Sequence, residues 1–151
     1  MKALLAAPAA ACVGLLGALS GVSSALADPA GGAAPPSAPS GPLPPFVDHT
    51  EWTQLGGGLT SLRVFPTPSG RAAAREPGLL ASADEAWAEV LALSPDADTA
   101  GMRAQFLCHW RFAELAQPGK VSWNLEPWRP VVDDAEMVAS RCNPGGPEET
   151  F

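Results

Sequence analysis

The chain changes character at Phe46, and that boundary fixes where a core can form. From Asp28 to Pro45 it is almost entirely Pro, Ala, Gly and Ser, with seven prolines and one large apolar residue, Leu43. Such a stretch buries too little surface to offset the entropy of ordering it, so residues 28–45 read as a disordered linker. Where polyproline-like, it would extend by about 3 Å per residue. All five tryptophans lie beyond Phe46. Residues 46–151 are therefore expected to form one small globular domain.

Residues 1–27 read as a signal peptide. Lys2 supplies the positive start, Ala3 to Leu19 is apolar, and Ala25-Leu26-Ala27 is a small-residue cleavage site. Pro8 and several glycines weaken the run as a membrane anchor, since a spanning helix needs roughly 20 strongly apolar residues. Cleavage near Ala27 predicts a secreted or cell-envelope-associated chain without a membrane span. The mature form would carry eight basic residues against sixteen acidic ones, a net charge of −8. Lys120 is its sole lysine and its arginines stand singly. Phosphate neutralisation needs clustered cations, so nucleic acid and anionic membrane surfaces are disfavoured as partners.

Within the domain, Thr50 to Gln54 and Leu59 to Phe65 flank Gly56-Gly57-Gly58, and Leu62 and Val64 alternate with polar positions, which predicts a β-hairpin. Pro66 to Gly70 reads as a turn. Ser82 and Glu85 have capping-box spacing, and Trp87, Val90 and Leu91 share a face, so a helix is expected from about Ala83 to Leu93. A second helix should start near Asp98 or Thr99 and reach about Ala116. Its wheel places Met102, Phe106, Trp110 and Ala113 on one face and Cys108, Phe112 and Leu115 on another, as in a central helix packed on two sides. Pro127 and Pro130 exclude a continuous helix from Ser122 to Pro130. That segment should be extended, with Trp123 and Leu125 inward and Asn124 and Glu126 outward. A short helix from about Asp134 to Arg141, capped by Asp133, completes the chain. The fold class is α+β, an N-terminal β-hairpin packed on two to three helices.

Once Cys12 departs with the signal, Cys108 and Cys142 remain, and two cysteines in an exported chain usually pair. Their disulfide would join the central helix to the last one and close a loop of about 34 residues, a restraint contributing on the order of 3–4 kcal/mol in the chain-entropy account. A catalytic thiol or a metal ligand is the alternative. His109 follows Cys108 directly, but neighbouring helical side chains point about 100° apart and do not converge on one atom.

Three runs in order carry a family resemblance: Gln105-Phe106-Leu107-Cys108-His109, then Trp123-Asn124-Leu125-Glu126-Pro127-Trp128-Arg129-Pro130, then Cys142-Asn143-Pro144-Gly145. Over about Phe46 to Glu149 the chain resembles the secreted actinobacterial domain of unknown function DUF2599. The resemblance implies export and a paired-cysteine domain. It brings no catalytic residues with it.

No complete catalytic or metal constellation is legible. The spacing of zinc proteases and the Gly-x-Ser-x-Gly turn of hydrolases are absent, and the glycine triplet lacks the residues of a phosphate loop. No metal or cofactor is implied. His109 reads as a buried, hydrogen-bonded histidine or as a general base. Glu126 and Arg129 read as an ion pair bracing the Pro-rich segment, or as polar groups of a ligand site beside Trp123 and Trp128. Two functions follow, besides a structural cell-envelope protein with no ligand. One is a binding or interaction module of the cell envelope or exterior that recognises a cell-wall glycan or a secreted protein through Trp123, Glu126, Trp128 and Arg129. The other is a small secreted hydrolase using His109 and Glu126.

Overall fold

The computed structural model describes residues 41–78 and 80–147. The expected signal peptide and residues 28–40 of the expected linker lie outside these residues. Strands β1 (Val47–Gln54) and β2 (Thr60–Pro66) form the hairpin, with Thr50 opposite Val64 and Trp52 opposite Leu62. The bend between them closes through Leu55 N–H on the Leu59 carbonyl at 2.7 Å. Gly57 and Gly58 have φ of 73° and 78° there, which only glycine adopts freely. A third strand, β3 (Trp123–Leu125), adds antiparallel to β2, giving the order β1-β2-β3.

Among the described residues four helices accompany the sheet: α1 (Pro68–Arg75), α2 (Leu80–Leu93), α3 (Met102–Ala116) and α4 (Asp134–Ala139). Helix α1 replaces the turn expected at Pro66 to Gly70. Thr67 caps it by accepting the Gly70 N–H at 2.9 Å, and Pro68 occupies the first turn, where a missing N–H costs nothing. Thr67 Oγ1 also donates to the Pro45 carbonyl at 2.8 Å, and Ser69 donates to that of Leu43. The last residues assigned to the linker are thus hydrogen-bonded to α1. Gly70 permits this approach, since a Cβ there would fall 2.1 Å from the Phe46 carbonyl oxygen.

The other helix boundaries also shift. Helix α2 begins at Leu80, so Ser82 lies in its first turn and not at the cap. Helix α3 begins at Met102, later than expected, because Pro95–Ala97 forms a separate 3₁₀ turn and Gly101 reverses the chain at φ 84°. Helix α4 keeps its Asp133 cap, which accepts the Glu136 N–H at 2.9 Å. It stops at Ala139, before Arg141 and Cys142 turn left-handed at φ 55° and 67°.

The core lies between β2, β3, α2 and α3. Leu62, Val64, Trp123 and Leu125 from the sheet meet Val90, Met102, Phe106 and Trp110, all buried. The Trp123 ring lies 6.1 Å from Phe106 and 6.0 Å from Trp110. The second face of α3 divides. Cys108 packs with Met137 and Cys142 in a small separate cluster, whereas Phe112 and Leu115 stay exposed, because α4 is too short to cover them. Cys108 and Cys142 form the disulfide, with Cα atoms 5.5 Å apart and a sequence separation of 34. The α+β class, the N-terminal hairpin and the single cross-link are as expected. No helix among the described residues is long and apolar enough to cross a membrane.

Candidate functional site

Strand β3 and the turn after it carry most of the residues singled out in sequence, and they point inward. Asn124 and Glu126, expected on the outside, are buried at 3% and 0% exposure. Alternation of inside and outside presumes one wet face, and here the side chains opposite the hydrophobic face are enclosed, Asn124 by Ser122 and Glu126 by Ser61 and Arg129, while α3 packs on Trp123. Gln105 on α3 receives the Glu126 backbone N–H on Oε1 and donates from Nε2 to the Glu126 carbonyl, both at 3.0 Å. The Glu126 carboxylate accepts from Ser61 Oγ at 2.9 Å and from Arg129 Nε at 2.5 Å.

Arg129 completes a fully buried ion pair, both side chains at 0% exposure. Its Nη1 donates to the carbonyls of Pro144 at 3.2 Å and Gly146 at 3.0 Å, and Nη2 to that of Pro147 at 3.0 Å. The guanidinium carbon stands 4.6 Å over the Trp128 ring, and Trp128 Nε1 donates to the Thr60 carbonyl at 3.1 Å. Glu126, Trp128 and Arg129 are therefore brought together, but their polar atoms serve the protein itself. Trp123 is wholly buried in the aromatic core. The surface expected from Trp123, Glu126 and Arg129 is not displayed, and Trp128 is only half-buried.

His109 is separate from that pair's carboxylate. Its Nε2 donates to the Asn124 carbonyl at 3.1 Å, holding α3 against β3. Burial, the charge of Lys120 and that of Arg129 push its pKa from 6.5 down to about 3, against the opposing effect of the Asn124 bond. The folded protein therefore keeps His109 neutral while the unfolded chain protonates it below about 6.5, so stability must fall as pH drops through this window. Between pH 7 and pH 5 the loss attributable to His109 is expected to be about 2 kcal/mol. Urea melts of wild type and His109→Gln at both pH values check it; the variant should show the smaller difference. Parallel curves would refute a neutral, buried His109.

A third buried charge was not legible in sequence. The Glu114 side chain, 1% exposed, receives Arg71 Nη1 at 2.5 Å and Arg75 Nη2 at 2.7 Å. Burial raises its pKa, but the bonds from Arg71 and Arg75 and the Gly119 N–H outweigh it and hold the carboxyl below its usual 4.5. That stabilisation is complete above pH 4.5 and lost as pH falls through the folded value. Arg71 Nη2 also donates to the Lys120 carbonyl at 2.6 Å, so this cluster sets the loop after α3. The four-residue spacing of Arg71 and Arg75 is the signal for it, but only once α1 is known to be a helix.

That loop borders a groove of about 610 Å³ between α3 and the turn after α4. Phe112, Ala116 and Lys120 line one side, Val138 and Arg141 the other, with His109 also contributing. Both cysteines of the disulfide lie in its wall. Neither Glu126 nor Arg129 belongs to it. Among the described residues no cluster of His, Cys, Asp and Glu is placed to hold a metal ion.

A three-stranded sheet braced by a buried ion pair, with one cross-link pinning a short last helix, defines a small disulfide-stapled α+β domain. The chain belongs to the family described as protein of unknown function, DUF2599, whose profile matches residues 47–145. It is similar to uncharacterized proteins of Mycobacterium tuberculosis and Mycobacterium bovis, 71% identical over 108 residues that cover 72% of either chain in each comparison. An uncharacterized protein of Mycobacterium leprae is 57% identical over 101 residues, covering 67% of this chain and 80% of its own. No solved structure matches the chain.

Proposed function

We propose that this chain is an exported binding module of the cell envelope or exterior, which holds its partner in the groove between α3 and the turn after α4. The groove carries the reading: at about 610 Å³ it has the size of a small-ligand site, with apolar walls and a few placed polar groups. Export is supported by the signal-like residues 1–27 and by the paired cysteines, since such pairs persist outside the cytoplasm. Cell-wall material and secreted proteins are the partner classes. The hydrolase reading draws less support, because Glu126 has both oxygens engaged and lies outside the groove that His109 lines.

Val138 is half-exposed on the groove wall, so Val138→Glu places a charge there without disturbing the core. Wild type should be retained by a cell-envelope fraction, and the variant, with an unchanged melting temperature, should be retained about tenfold less, as for a charge set against an apolar contact. Equal retention of the two would remove the groove from the function.

A further inference from the structure

We propose that the groove takes the free C-terminal end of an extended apolar peptide, whose carboxylate meets Arg141 and Lys120 and whose backbone N–H meets Asn143. This rests on the binding-module reading above and names its ligand class. Charge is the first argument. In a chain of net charge −7, the groove lining includes Lys120 and Arg141 and no Asp or Glu. Arg141 is exposed, and its planar guanidinium matches a carboxylate with two parallel bonds.

Asn143 is the second argument. It is 9% exposed and lines the groove, and its Nδ2 donates to the Arg141 carbonyl at 2.8 Å, which settles the orientation of the amide. Its Oδ1 is left buried with no hydrogen-bond partner. Buried acceptors are nearly always paired, so this atom calls for a donor from outside the domain. A peptide N–H beside a terminal carboxylate supplies one.

The walls complete the description. Phe112 and Val138 are 38% and 51% exposed, and Ala113 and Ala116 leave room between them. Apolar side chains fit such walls. A fatty acid would meet the cations and the walls but offers no donor to Asn143. An acidic polysaccharide would bring carboxylates without an apolar body.

The test is calorimetric titration of the full mature chain with N-acetyl-Leu-Ala-Leu as the free acid, with its C-terminal amide, and with octanoate. The acid should bind at least about tenfold tighter than the amide, the scale of one charge-assisted contact. Arg141→Gln should remove most of that difference and leave the affinity for the amide unchanged. Octanoate should bind more weakly than the tripeptide acid. Equal affinity for acid and amide, or an indifferent Arg141→Gln, overturns the carboxylate assignment, and octanoate binding as tightly as the tripeptide overturns the role of Asn143. Binding seen only after removal of residues 148–151 also overturns it, by making that segment the occupant. If neither peptide binds while the envelope fraction still retains the chain, this ligand class falls and the binding module stands; if retention fails too, both fall.

Discussion

Glu126→Ala is expected to cost about 3–5 kcal/mol of folding stability, the loss typical of a buried pair stripped of one partner. The carboxylate sits at 0% exposure and is the only acidic group within hydrogen-bond reach of Arg129 among the described residues. Removing it leaves a guanidinium charge in the interior and takes the acceptor from Ser61 Oγ. Against a total stability of about 5–15 kcal/mol for a domain of this kind, that is at least about a fifth of what holds it folded. Urea unfolding of the variant measures it. The pair Glu126→Leu with Arg129→Met should lose less than Glu126→Ala does, because apolar replacements remove the stranded charge, although three carbonyls then lose their donor. A loss below about 1 kcal/mol for Glu126→Ala would mean that the pair is hydrated, since exposed ion pairs are worth no more.

The cross-link gives the second large effect. Cys142→Ser, or reduction of the wild type, frees a loop of 34 residues and is expected to cost about 3–4 kcal/mol. For a domain of about 100 residues that corresponds to a fall in melting temperature of roughly 15–25 °C. The loss should begin locally. Helix α4 has six residues and is held mainly through Met137 and Cys142 against Cys108, so it has little burial of its own once the bond is cut. Hydrogen exchange should show α4 amides exposed while those of α3 stay protected. A calorimetric melt unchanged by reduction would show that the sulfurs do not hold the helix.

The hairpin, the inward stripe of α3, the Asp133 cap and the cysteine pair were all readable because each is signalled locally or by simple counting. The turn expected at Pro66 to Gly70 went wrong because proline signals both a break and a first helical turn; Thr67, accepting from Gly70, decides between them. The outward facing expected of Glu126 failed for a different reason. Its partners are Ser61, 65 residues away, and Gln105, 21 residues away. Neither can be found by scanning a window around the Trp-rich run. Glu126 with Arg129 was weighed as an internal brace or a ligand site, and the bonds of both side chains are internal. The groove had no sequence signal at all, since its walls join residues near 112 with residues near 140 through the disulfide.

Arg129 binds the chain at Pro144, Gly146 and Pro147 with a single planar head group. The closing segment is consequently latched by side-chain geometry and not by a ladder of backbone bonds. A lysine at that position keeps the charge but has one nitrogen where the latch uses two and the bond to Glu126 a third. Anyone attaching a fluorophore or fusion partner beyond Pro147 is therefore working next to a carbonyl that this head group holds.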